Sequence, residues 1–232
     1  MARNASSTRE SLIRAGERLF AAQGVDGAQT RDIVRAAGQA NDSAVHYHFR
    51  SRRGLLLAIC GKHVAAMEPA RLDWLADAGG GGELPAVVEA IVAPTAARLH
   101  TEDGRDFLRI VAQLAGYAGV RTHTVPIPLE GTALLRQLEL LEACCLDQLP
   151  QPVALERIAI GIGALTAALA DRARQLDAGA DPLLDHDDFV ANLVAMLVAA
   201  FRAPVPAHRP PARRGSRRAR GVAADGRGGT AR

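Results

Sequence analysis

The stretch Thr30-Arg31-Asp32-Ile33-Val34-Arg35-Ala36-Ala37-Gly38-Gln39-Ala40-Asn41-Asp42-Ser43-Ala44-Val45-His46-Tyr47-His48-Phe49 decides how the chain is read. Ile33, Val34 and Ala37 recur at helical spacing from Thr30 to Ala37, and Gly38 closes the run as a helix-stopping glycine does. A second short helix, started by Asn41 or Asp42 and ending at Phe49, gives Ala44, Val45 and Phe49 to a core. It leaves Ser43, His46, Tyr47 and His48 polar. Helix, tight glycine-containing turn, helix is the helix-turn-helix pattern.

Working outward, Ser7-Thr8-Arg9-Glu10 has the form of a capping box and predicts a helix beginning there. Leu12, Ile13, Gly16, Leu19 and Phe20 share its inner face, and Gly24 ends it. On the other side, Ser51 sits where an N-cap belongs. Leu55, Leu56, Ile59, His63 and Met67 then predict a long helix reaching about Trp74, interrupted at Gly79 to Gly82. Further helices are expected over residues 84–99, 104–118, 129–149, 153–176 and 186–202, about nine in all. Alternating β-branched and aromatic runs with hairpin turns are missing, so the expected fold is all-α. The expected divisions are an N-terminal three-helix domain at 1–53, a helical domain at 54–202 and a disordered Arg/Pro/Gly-rich tail at 203–232.

Charge follows the same divisions. Residues 1–53 carry nine Arg against five acids, 54–202 eleven Lys and Arg against nineteen acids, and 203–232 eight Arg against Asp225 alone. Clustered positive charge attracts a polyanion, so the two ends, not the acidic middle, are the candidates for nucleic-acid contact. The tail admits two readings, added sequence-independent affinity through counterion release or an extension with no role.

Cys60, Cys144 and Cys145 make no disulfide framework, and no apolar run precedes a small-residue cleavage site, which predicts a reducing, cytoplasmic setting. The most apolar stretches, 158–170 and 189–201, fall short of the roughly 18 residues of a membrane span. No membrane partner is expected.

Catalysis is not expected either. There is no Gly-x-Ser-x-Gly elbow, and Gly161-Ile162-Gly163 lies inside an apolar helix instead of following a strand, so no dinucleotide cofactor is implied. His46 and His48 are not spaced as i, i+4 ligands, and the acids of Asp185-His186-Asp187-Asp188 suit a helix start without an ion. No metal site is predicted.

From Arg9 to Leu57 the chain resembles the DNA-binding region of the TetR/AcrR regulator family. The resemblance is carried by Ala15, Leu19-Phe20 and Gly24, by Thr30-Arg31-Asp32-Ile33 with Ala36-Ala37-Gly38, and by His46-Tyr47-His48-Phe49-Arg50-Ser51-Arg52 with Leu55-Leu56. The turn Gly38-Gln39-Ala40-Asn41 is longer than the family's usual Gly-Val-Ser, His46 stands where Tyr is typical, and Arg52 replaces a frequent Lys. The resemblance implies that Thr30 contacts phosphate, that Arg31 reads a base, that Tyr47 and His48 meet the groove or backbone, and that Arg52 anchors phosphate. Gln39, Asn41, Ser43, Ala44 and His46 complete the expected DNA-binding set. A recognition helix must be slim and polar on one side to enter a major groove about 12 Å wide, and the segment fits that demand.

For the rest of the chain the resemblance implies a small-molecule effector among the central helices and a homodimer built by the last two. Polar groups on otherwise apolar helices, Arg109, Gln113, Tyr117, His123 and Cys144, are the candidate effector contacts. Gly161, Ala164 and Ala168 on the eighth helix and Phe189, Leu193, Met196 and Leu197 on the ninth are the candidate dimer contacts. The expected function is a ligand-responsive regulator, a repressor released from a palindromic double-stranded operator. The alternative is a helical interaction protein that has lost operator binding.

Overall fold

A computed structural model describes residues 2–41, 43–115 and 129–205. Among them nine α-helices and no strand are found: α1 Ala2–Gln23, α2 Thr30–Ala36, α3 Ser43–Phe49, α4 Arg52–Asp77, α5 Leu84–Ala96, α6 Glu102–Ala115, α7 Ala133–Leu146, α8 Gln151–Asp177 and α9 His186–Arg202. A single 3-10 turn, Ala97–His100, joins α5 to α6.

Local chemistry places several of these ends. Ser51 accepts a hydrogen bond from Gly54 N at the start of α4, Thr132 from Leu135 N at α7, and Asp185 from Asp188 N at α9. Gly24 stops α1 with φ +89°, a left-handed conformation that costs a side-chain-bearing residue free energy. The expected start of α1 is corrected. The helix begins at Ala2, and Ser7 lies inside it, where its carbonyl accepts from Ser11 Oγ at 3.0 Å. The preceding residues continue the helix, so the hydroxyl at Ser7 has no helix start to cap.

Two apolar clusters organise the packing. The first joins Leu12 and Phe20 of α1, Ile33 of α2, Val45 and Phe49 of α3, Leu55 and Ile59 of α4, and Ile110 and Leu114 of α6. Gly16 lets α1 and α4 approach closely, since a Cβ there would meet Ile59 Cδ1 at 3.0 Å and Leu55 Cδ2 at 3.1 Å. The second cluster fills the space among α5 to α9 and the middle of α4, with Val87, Val92, Leu108, Leu141, Ile158, Leu169, Leu193 and Phe201. Packing therefore does not break at residue 53. The small N-terminal core runs on into α4 and takes two residues from α6.

Between these cores lies a polar joint of α1, α4 and α6. Glu17, 1% exposed, faces His63 Nε2 at 3.0 Å, and Lys62 Nζ bridges Glu17 at 2.9 Å and Asp103 at 2.8 Å. His63 stacks on Phe107 with ring centroids 4.4 Å apart. Burial pushes Asp103 upward, but hydrogen bonds from Lys62 and Thr101 and the charges of Lys62 and His63 outweigh it and hold the carboxyl well below its usual range.

The last two helices are tied along their length. Arg157 of α8 donates to the carbonyls of Phe201 and Pro204 at the end of α9, and Arg172 donates to Leu184 O just before its start. Over its 27 residues α8 is long and apolar enough by composition to cross a bilayer, which corrects the expectation from the shorter apolar stretch. Here it is packed against α6, α7 and α9, and Ile158, Leu165 and Leu169 enter the core.

Candidate nucleic-acid interface

The helix-turn-helix is held from behind. Val45 and Phe49 are buried against the α1–α4 core, so the opposite face of α3 is presented outward as a fixed surface. Gly38 turns the chain after α2 with φ +67°, and Gln39 N donates to Val34 O at 3.0 Å across that turn. Asn41 Oδ1 then accepts from Ser43 N at 2.9 Å, which sets the start of α3. Asp42 lies outside the described residues.

On the outward face stand Ser43, His46 and Tyr47, with Ala44 and His48 half-buried beside them. Tyr47 is 77% exposed and stacks edge-on against His48 at 4.9 Å. Around this face, Arg31, Arg35, Arg50 and Arg53 are exposed. Asp32 lies 3.9 Å from Arg31 and 3.6 Å from Arg35, exposed pairs of little strength. Thr30 is half-buried as the first residue of α2.

Arg52 has a different place from the one expected. Its guanidinium donates to the carbonyls of Val25 and Ala28, the latter at 3.0 Å, and lies 5.9 Å from the centre of the Phe20 ring. It fixes the α1–α2 turn from α4. Gly54 is required by proximity, since a Cβ there would stand 1.9 Å from Phe49 O.

The described candidate effector contacts, Arg109, Gln113 and Cys144, do not converge. Arg109 pairs with Asp106 and with Asp177 of α8, and Gln113 accepts from Val25 N at 2.7 Å and donates to Phe20 O at 3.3 Å. Both link helices, because α6 lies between α1 and α8. Cys144 donates to Gly82 O at 3.5 Å on the far side, and burial, then the charge of Asp147, raises its thiol pKa. Tyr117 and His123 lie outside the described residues.

The structure instead gathers a polar group that the sequence reading missed. Arg71 of α4 and Gln137 of α7 are buried, and the half-buried Thr95 of α5 joins them. The signal was present, for Arg71 continues at four-residue steps the stripe His63, Met67 that faces inward from α4.

The candidate dimer residues split into two groups. Leu193 and Leu197 are buried in the subunit's own core, and Gly161 sits under Phe201, whose Cζ a Cβ would meet at 2.6 Å. Phe189 lies beneath the Arg172 guanidinium at 4.1 Å. Within the subunit these four make contacts of their own chain, Phe189 being half-buried, and Gly161, Leu193 and Leu197 help close α8 on α9. Ala168 is half-buried against the same core. Ala164 and Met196 remain outward, joined by Ile160, which is 64% exposed.

A three-helix DNA-reading unit mounted on a helical body defines a DNA-binding transcriptional regulator. The family described as bacterial regulatory proteins, tetR family, matches residues 12–59. The uncharacterized HTH-type transcriptional regulator TtgW of Pseudomonas putida is 30% identical over 110 residues, spanning 47% of this chain and 76% of that protein. The chain belongs to the TetR family of transcriptional regulators. Two solved structures share the fold. A mutant of HlyIIR aligns over 84% of this chain and 98% of its own with TM-score 0.51 and 16% identity. The fatty acid degradation regulator FadR from Bacillus halodurans aligns over 84% and 96% with TM-score 0.50 and 15% identity.

Proposed function

We propose that the chain is a homodimeric repressor that holds a palindromic operator through α3 and leaves it when a small molecule occupies the helical body. The observation that carries this reading is the outward face of α3, with Tyr47 77% exposed on a helix pinned by Val45 and Phe49. In this reading Tyr47, His46, Ser43 and Ala44 meet the groove, Arg31 reads a base edge from the start of α2, and Thr30 and His48 contact the backbone. Gln39 and Asn41 shape the turn that aims α3.

The second subunit docks on the outward faces of α8 and α9. Ile160, Ala164 and Ala167 of α8 and Ala195, Met196 and Ala199 of α9 are exposed and apolar or small, a composition that favours close helix packing. Two reading heads then stand about one DNA turn apart, roughly 34–36 Å, and an effector that prefers another spacing shifts the population off DNA. The division into a reading unit at 1–53 and an effector and dimer unit at 54–202 belongs to this proposal, as does a cytoplasmic setting. Most of the 203–232 tail falls outside the described residues.

Gel shift with duplex DNA from upstream of the protein's own coding region tests the reading, with sedimentation to give the stoichiometry. One dimer on a palindromic site is the expected complex. No retardation at low salt favours an interaction protein without operator binding, and a single subunit on a non-symmetric site refutes the dimer.

A further inference from the structure

Arg9 of α1 is exposed, and its guanidinium lies over the Phe49 ring, 5.2 Å from the centroid. Phe49 is the last residue of α3, is 7% exposed and belongs to the N-terminal core, so its ring seats Arg9 beside the end of that helix. A cation held by a ring face uses none of its N–H donors. Arg50 follows Phe49 directly and Arg53 lies in the first turn of α4, both exposed. Among the described residues none of these three arginines has a carboxylate partner. Glu10 shares the groove between α1 and α4 with Arg9 but makes no ion pair with it.

Arg50 keeps its place against its own conformational preference. Its φ is +68°, the only positive value at a non-glycine residue among the described residues. Glycine ends a helix in this conformation at less cost, as Gly38 with φ +67° does after α2. Strained residues of this kind cluster where a side chain meets a ligand.

The end of α3 is also where cations are needed. Its 7 residues span about 10 Å, against a major groove about 12 Å wide, so a helix laid across the groove brings its last turn near a phosphate strand. The carboxyl end of a helix carries partial negative charge, which repels phosphate unless cations cover it. Arg52 does not fill that need, because its guanidinium faces the Val25 and Ala28 carbonyls. Three guanidiniums with free donors do, and their planar forks match phosphate oxygens. We propose that Arg9, Arg50 and Arg53 form a clamp for DNA phosphates at the carboxyl end of α3, so that α1 grips DNA from outside the helix-turn-helix. This rests on the operator-binding reading above and adds a contact surface to that site.

The experiment uses the full-length protein and two duplexes of equal length, one from upstream of its own coding region and one of scrambled sequence. Fluorescence anisotropy reads affinity between about 50 and 200 mM salt. Arg9→Gln is expected to weaken both duplexes by the same factor and to lower the slope of log affinity against log salt by about 0.9 per bound subunit. Arg9→Lys keeps the slope. Arg50→Gly removes a charge and the strain together, so it is expected to weaken DNA in the same way while raising the unfolding temperature by about 1–4 °C. A role in folding alone does not move binding and stability in opposite directions. Arg136→Gln removes an exposed charge from α7 and leaves the slope as it was. The clamp is overturned if Arg9→Gln or Arg50→Gly binds like the wild type, if the loss is confined to the upstream duplex, if it follows a fall in unfolding temperature, or if Arg136→Gln lowers the slope equally. A wild type that binds neither duplex removes the operator reading and the clamp with it. A wild type that binds, with variants that bind alike, removes the clamp alone.

Discussion

Arg31 and Arg52 are both arginines of the helix-turn-helix region, yet the structure gives them different surroundings. Arg31 is exposed and loosely paired with Asp32, so Arg31→Ala is expected to relax the preference at one operator position by about 1–3 kcal/mol, read by binding to a set of single-base operator variants. Loss of affinity equal on every sequence would assign Arg31 to phosphate instead. Arg52, bound to Val25 and Ala28 carbonyls, behaves as a structural side chain. Arg52→Ala is expected to lower stability by about 1–3 kcal/mol, seen as an earlier midpoint in urea, because two acceptors of the α1–α2 turn lose their donor. The sequence showed the charge of Arg52 but not the carbonyls lying 27 and 24 residues away, which is why a phosphate role was expected. Tyr47 was legible for the opposite reason. Its polar neighbours Ser43 and His46 and its buried neighbours Val45 and Phe49 follow one helical period, so its outward direction needed no tertiary information.

Helices are where periodicity served best. The turn-stopping glycines and the capping hydroxyl of Ser51 lie where the pattern put them, while Ser7 shows that a capping sequence does not start a helix when its predecessors also favour one. What periodicity could not tell is which apolar stripe stays inside the subunit, since Leu193 and Met196 read alike until α9 is laid on α8. The outward set now makes a sharper prediction. Met196→Glu with Ile160→Asp is expected to leave the circular dichroism unchanged and shift sedimentation toward a single subunit, because charges on an apolar contact face oppose association. The joint of α1, α4 and α6 gives a pH test. Asp103 is held below its usual range when folded, so its contribution is present above about pH 4, the unfolded value, and is lost as pH falls from there through the lower folded value. The stability gap between wild type and Asp103→Asn should therefore be flat near neutrality and close only in acid. A gap that closes between pH 6 and 8 would assign it to another group.

For the molecule as a whole, charge and shape agree. The exposed arginines of the reading unit surround α3, and the acids concentrate in the body, so operator affinity should fall steeply with salt. A dimer with about 6–10 phosphate contacts is expected to lose about 10³–10⁵ in affinity between 50 and 200 mM salt, measured by fluorescence anisotropy. A flat salt profile would remove phosphate contact as the source of binding. The body's buried ion chemistry was the least legible part, because Arg71, Thr95 and Gln137 come from three helices and only the fold brings them together. One further feature concerns Lys62, the sole lysine in the chain, whose ammonium bridges Glu17 and Asp103 and remains 39% exposed. Apart from the terminal amine, an amine-directed acylating dye has one side chain to label, and that side chain sits where the reading head meets the body. Acylation there removes the positive charge and both bridges at once, so a single modification of the native sequence would show what the seam loses without them.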